Sequence, residues 1–140
     1  MARRTRSGNL LSRREFGFTL VELMIVMTII SILLAIAVPI YQKSIIRAKE
    51  SVLRNNLFTM REMIDEYTVD KQHAPQTLDD LVSDGYLRQI PVDPITGNNQ
   101  SWKIVMEDTS VGGDSQPPGI YDIHSGAEGN ALDGTAYSDW

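Results

Sequence analysis

Apolar positions along the 140-residue chain fall into distinct regimes. From Phe18 to Tyr41 they are nearly continuous over 24 residues. As a helix rising ~1.5 Å per residue, that run is about 36 Å long, enough to cross a hydrocarbon core of about 30 Å. Beyond it the pattern becomes periodic. Ile46, Leu53, Leu57, Met60, Ile64 and Tyr67 recur at spacings of 7, 4, 3, 4 and 3, which is an apolar stripe on one helix face. Lys49, Glu50, Arg54, Arg61, Glu62 and Asp65 are assigned to the remaining polar surface. Pro75 disfavours helical backbone in the residue before it, so the helix is expected to end near 72–74. The pattern therefore predicts one helix of more than fifty residues, apolar in its first half and amphipathic in its second. Pro39 lies inside it, removes one backbone hydrogen bond and marks a kink or weak point.

Shorter elements follow. "TLDDLVSDG" predicts a second helix with Thr77 as N-cap, Asp79 and Asp80 in its first turn and Gly85 just past its end. "IPVDPITGN" reads as consecutive turns. "SWKIVMED" predicts a strand with Trp102, Ile104 and Met106 on one face, "GGDSQPPG" a loop, and "IYDIH" a second strand. The tail "SGAEGNALDGTAYSDW" is rich in Gly, Asp and Ser, with few apolar residues to bury. No internal repeat or low-complexity tract is present. The expected fold class is α+β, a long N-terminal helix packed on a small antiparallel sheet of two or three strands. Such a domain has a thin core and marginal stability on its own.

Charge adds orientation. The net charge is −5 but is unevenly divided. Residues 1–17 hold five Arg and one Glu, whereas residues 74–140 hold two basic residues, Arg88 and Lys103, against eleven acidic ones. A basic flank stays in the cytoplasm, which leaves the acidic body on the far side of the membrane. An acidic body also argues against nucleic-acid binding. With no cysteine, a disulfide framework, a zinc–thiolate site and a thiol nucleophile are excluded. No HExxH, GxSxG, P-loop or dinucleotide fingerprint occurs, so enzymatic chemistry is not expected. Asp122, His124 and Ser125 stand close together in "DIHS", but adjacency does not make a triad. On a strand, Asp122 and His124 would share a face while Ser125 pointed away. His124 is read as a sheet-edge residue and His73 as a helix-end residue near carbonyls.

Three readings of the apolar segment compete. A secretory signal peptide would use Ala35-Ile36-Ala37 as its cleavage site and leave a mature N-terminus at Val38. Its apolar region would be shorter, however, and free of Glu22. A plain membrane anchor explains length and orientation but neither Glu22 nor Pro39. A carboxylate inside an otherwise apolar run is costly in lipid and calls for a partner.

The third reading comes from "GFTLVE". Gly17, Phe18, Thr19-Leu20-Val21 and Glu22, with Pro39 further along the apolar helix, resemble the start of the type IV pilins and pseudopilins. The resemblance implies a leader, residues 1–17, removed between Gly17 and Phe18 by a prepilin peptidase that also methylates the new Phe18 amine. It implies a transmembrane and filament-core helix over 18–41, an amphipathic continuation over 42–74, and a small globular head over 75–140. In a stacked bundle, Glu22 of one subunit would meet the Phe18 amine of another and set the register. Pro39 would let the helix melt locally on assembly. The seventeen-residue leader is longer than in many family members.

Within the family, the chain most resembles the major pseudopilins of type II secretion. Asp93-Pro94 followed by Gly97, and the tail "YDIHSGAEG…SDW", carry that likeness. The resemblance implies a homopolymeric periplasmic filament anchored in the bacterial inner membrane, N-terminus cytoplasmic. Its partners would be minor pseudopilins and an inner-membrane assembly platform. It also implies a calcium site in the tail, with Glu128 and Asp133 as foremost ligands and Ser125 and Asp139 behind them. Asp122 is a further oxygen donor, and calcium takes six to eight such oxygens. A type IV pilus subunit for adhesion, twitching or DNA uptake is the alternative.

Overall fold

The computed structural model describes residues 17–108 and 117–140. The leader as far as Phe16 and most of the expected "GGDSQPPG" loop lie outside the described residues. The chain divides into a unit ending at Pro39 and a second unit, Ile40–Trp140. Helix α1, Leu20–Lys71, contributes to both.

In the first unit, Thr19 starts the helix. Its hydroxyl accepts the Glu22 N–H at 3.1 Å and its carbonyl accepts the Leu23 N–H at 3.2 Å. Among the described residues α1 is the one helix long and apolar enough to cross a membrane, with a peak mean hydropathy of 2.8. Two hydroxyls within the apolar run are satisfied locally. Thr28 and Ser31 donate back to the carbonyls of Met24 and Met27 at 2.7 and 2.8 Å, so neither hydroxyl needs an outside partner. Pro39 has no N–H to offer the Ala35 carbonyl one turn earlier.

In the second unit, α1 buries Glu50, Leu53, Leu57, Met60, Ile64 and Tyr67. The expected stripe holds from Leu53 onward, but Ile46 is exposed and Glu50 is buried. Gln72 turns to φ +61 immediately after the helix. Helix α2, Leu78–Ser83, begins at Thr77. The Asp80 carboxylate reaches back to accept the Gln76 and Thr77 N–H groups at 2.9 and 2.8 Å, satisfying donors that the first turn leaves free. Gly85, at φ +86, ends it.

Among the described residues the sheet has two antiparallel strands, β1 (Lys103–Met106) and β2 (Ile120–His124). Lys103 pairs with His124 and Val105 with Asp122, but Met106 pairs with Ile120. Tyr121 is therefore an extra residue on β2. This bulge lets Ile120 and Ile123, three positions apart, both face the core. The expectation for β1 is corrected. Trp102 is buried but lies just before the strand, while Ile104 and Met106 are exposed. In a two-stranded sheet, β2 supplies the core face and β1 lies outside it. The core joins the α1 stripe to Leu78, Leu81, Leu87, Trp102, Ile120 and Ile123. The tail supplies more than its composition implied, since Ala127, Ala131 and Tyr137 are also buried.

Candidate functional site

Of the residues that the resemblance implies in processing and assembly, Gly17, Phe18 and Glu22 lie at the start of α1, and Pro39 stands inside it. Gly17 and Phe18 precede the helix and are exposed. Glu22 stands in its first turn, where a negative charge favours the positive end of the helix dipole. Thr19 and Glu22 thus form the start of a Thr-x-x-Glu capping pattern, a signal overlooked in the sequence because the run reads first as a membrane segment.

The tail is built on two buried acidic groups, Asp93, to which the sequence reading gave no structural role, and Glu50, which it placed on the polar surface. The first is Asp93, fully buried in the "DPITG" turn. Its Oδ1 accepts the N–H groups of Ile95 and Thr96 at 2.7 and 3.3 Å, and its Oδ2 accepts the Ser125 hydroxyl at 2.6 Å. Ser125, itself fully buried, accepts the Ala127 N–H at 3.1 Å. The Ser125 side chain is therefore committed to holding the turn, 32 residues away in sequence. Gly126 passes so close to the Ser101 carbonyl that a Cβ there would collide with backbone.

The second is Glu50. Its Oε1 accepts the Leu132 N–H at 2.8 Å and the Tyr137 hydroxyl at 3.0 Å. Burial, followed by the Glu50 carboxylate, pushes the Tyr137 phenol up from its ordinary pKa. Glu50 fits the stripe's own period, three residues before Leu53, and that spacing was the signal that could have found it. One turn on, Arg54 lies 4.1 Å from the centre of the Trp140 ring and bonds Asp133 Oδ2 at 2.9 Å. Asp133 Oδ1 accepts the Thr135 N–H and hydroxyl at 3.0 and 2.6 Å. Those Thr135 bonds first, and Arg54 after them, hold the Asp133 carboxyl below the usual range.

These contacts decide how the four expected calcium ligands are placed. Ser125 is in the core, Asp133 faces Arg54, Glu128 is exposed, and Asp139 takes a 3.4 Å contact from Ser138. They do not converge. Among the described residues no group of three or more His, Cys, Asp or Glu side chains is arranged to hold a metal ion.

Asp122 and His124 do share a face, with His124 Nε2 3.4 Å from Asp122 Oδ2. His124 Nδ1 meets the Trp140 main-chain oxygen at 2.7 Å, while Arg61 bonds Asp122 Oδ1 at 2.7 Å and the Ile123 carbonyl at 2.8 Å. Burial pushes the Asp122 carboxyl up, but the Ile123 N–H and Arg61 outweigh it and hold the group below its ordinary range. The Ser125 hydroxyl donates to Asp93, not toward this pair. The cluster fastens β2 to the helix and the tail. At the helix end, His73 Nδ1 lies 3.2 Å from the Ala74 carbonyl.

Residues 12–38 match the prokaryotic N-terminal methylation motif. A type II secretion system core protein G from Pseudomonas aeruginosa is 34% identical over 98 residues, 59% of this chain and 69% of that protein. The competence protein ComGC of Halalkalibacterium halodurans is 38% identical over 73 residues, 52% of this chain and 72% of ComGC. The type IV major fimbrial protein FimA of Dichelobacter nodosus is 47% identical over 58 residues, 41% of this chain and 37% of FimA. No solved structure matches the chain.

Proposed function

The chain belongs to the type IV pilin and pseudopilin superfamily, and we propose that within it the chain is the structural subunit of a periplasmic type II secretion pseudopilus. The observation that carries this reading is the reach of the similarity. Core protein G is matched over 69% of its own length, whereas the fimbrial and major-pilin matches cover 37% of theirs. A type IV pilus or competence filament is the second reading, favoured by the 72% coverage of ComGC.

In the first reading, a prepilin peptidase cuts between Gly17 and Phe18 on the cytoplasmic side and methylates the Phe18 amine. Glu22 then pairs with the amine of a neighbouring subunit, and an unpaired carboxylate in apolar surroundings disfavours every other register. Pro39 gives the helix a place to loosen as it leaves the bilayer. The subunit does mechanical work: helices withdrawn from the inner membrane repack as a filament core, and the growing fibre pushes folded proteins through an outer-membrane pore. Calcium binding by the tail, with Glu128 and Asp133 as foremost ligands, belongs to the same reading. A calcium-dependent rise in melting temperature, reversed by a chelator, would support it.

Deleting the gene tests the reading. Loss of extracellular enzymes, with those enzymes stranded in the periplasm, is the expected result. Normal secretion with missing surface fibres would move the protein to the pilus branch. Mass spectrometry of the mature chain should find a methylated N-terminal Phe18. Assembly is expected to fail in Glu22→Val.

A further inference from the structure

The basic side chains of α1 divide by position. Arg54, Arg61 and Lys71 are committed to Asp133, Asp122 and Asp84. Lys43, Arg47 and Lys49 are exposed, and none has an ion-pair partner among the described residues. No acidic residue lies between Glu22 and Glu50. Glu50, three residues beyond Arg47, spends its Oε1 on the Leu132 N–H and the Tyr137 hydroxyl. Ser44, beside Lys43, donates to the Ile40 carbonyl at 3.1 Å, so its hydroxyl is satisfied by the helix itself. Three cations without partners thus follow Tyr41 within eight residues. On the far side of a membrane this runs against the ordinary bias, which collects Lys and Arg on the cytoplasmic side.

Their depth is informative. The apolar run ends at Tyr41, an aromatic residue of the kind that collects at membrane–water boundaries. Along the helix axis Lys43 is about 3 Å beyond it, Arg47 about 9 Å and Lys49 about 12 Å. The headgroup layer on each face of a bilayer is about 5–8 Å deep. Lys43 therefore starts within that layer. Arg47 starts at its outer edge and reaches back on a flexible stem. These two are four residues apart, about 40° around the helix, whereas Lys49 is about 200° from Arg47. Lys43 and Arg47 share one face at headgroup depth, and Lys49 is higher and on the other side.

We propose that Lys43 and Arg47 form a docking site for the phosphate of an anionic phospholipid in the far leaflet of the membrane that α1 crosses. The proposal rests on the reading of the apolar run as a membrane segment and adds the lipid it selects. Arg47 offers a planar fork to two phosphate oxygens, and Lys43 adds a point charge to the same group. A zwitterionic headgroup carries its own cation, which competes with these side chains, so a headgroup of net negative charge is preferred. Residues 74–140, with two basic residues against eleven acidic ones, are repelled by the same surface. The attraction is therefore confined to the root of the amphipathic half of α1. A subunit withdrawn from the bilayer gives up that contact.

The test uses the full chain at low density in phosphatidylcholine vesicles, with one reporter. Since the chain has no cysteine, Ser44→Cys places a single bimane fluorophore beside the pair. Its quenching is compared for two added lipids, phosphatidylglycerol and phosphatidylcholine, each with a nitroxide on the acyl chain close to the headgroup. The leader arginines belong to the cytoplasmic face, out of reach of contact quenching, so lipids they attract do not register. At low salt the labelled phosphatidylglycerol is expected to occupy the site roughly tenfold more often than labelled phosphatidylcholine. That preference should shrink at 1 M salt, where charges are screened within about 3 Å. Lys43→Gln with Arg47→Gln should bring the two lipids to parity, while Lys49→Gln should leave the preference in place. Equal quenching by both lipids in the parent, a preference that survives the double substitution, or an equal loss in Lys49→Gln would overturn the proposal. Quenching by neither lipid would place residue 44 outside the bilayer, and the membrane reading would fail together with the docking site. Because single copies suffice, the result is independent of which filament the subunit builds.

Discussion

Replacing Asp93 with Ala removes the acceptor for three groups at once: the Ser125 hydroxyl and the N–H groups of Ile95 and Thr96. Ser125 is fully buried, so its stranded hydroxyl costs about 1–3 kcal/mol. Ile95 and Thr96 are less enclosed and recover part of their loss from water. The expected total is about 3–5 kcal/mol, against an overall stability of about 5–15 kcal/mol. At roughly 4–8 °C per kcal/mol, the melting temperature should fall by more than about 12 °C. Asp93→Asn keeps the shape and one acceptor and should cost about 1–2 kcal/mol. Ser125→Ala strands Asp93 Oδ2 and the Ala127 N–H, a loss of about 2–3 kcal/mol. Since both variants break one shared bond, the double variant should cost about 1–3 kcal/mol less than the sum. Urea unfolding of the detergent-solubilised chain would measure each value. Tryptophan fluorescence is a suitable probe, because the Trp102 indole donates to the Pro91 carbonyl at 2.9 Å, beside the turn. Additive losses, within about 0.5 kcal/mol, or an Asp93→Ala chain that melts within a few degrees of wild type, would refute the reasoning.

Further expectations can be checked on the same material. Gly126→Ala would drive a methyl into the Ser101 carbonyl, at about 3 kcal/mol or more; protease resistance of the head should be lost. Glu50→Leu strands the Leu132 N–H and the Tyr137 hydroxyl, costing about 2–4 kcal/mol. Hydrogen exchange should show residues 130–140 opening first, while Glu50→Gln, which keeps the acceptor, should leave them protected. The lowered Asp122 pKa contributes stability above the ordinary aspartate value near ~3.9, and that stability disappears as pH falls through the lower folded value. The stability gap between wild type and Arg61→Gln should therefore be constant above about pH 5 and narrow below about pH 4. A gap unchanged down to complete acid unfolding would contradict this sign.

Local chemistry was legible in the chain. The stripe from Leu53 to Tyr67 is a helical period, Thr77 to Gly85 carries its own start and stop, and the run from Phe18 to Tyr41 is long and apolar enough to fix its class. These features depend on neighbours within a few residues, so reading the sequence recovers them. Glu50 was misplaced because charge outweighed period. Only the tail folding back onto the helix supplies the two donors that make its burial tolerable. The strand faces were misread for a similar reason. The extra residue at Tyr121 shifts the alternation of β2, and that shift exists only in the pairing with β1. Asp93-Pro94 and Ser125-Gly126 were noticed as separate marks of one resemblance, yet nothing in either stretch says they touch. A hydroxyl and a carboxylate 32 residues apart become one clasp only after the intervening strands have packed and excluded water. The sequence by itself determined the two helices and two strands, the long apolar segment and the charge asymmetry around it. The tertiary structure alone decided which polar groups are spent inside the fold and which stay exposed, because that depends on contacts made across long stretches of chain.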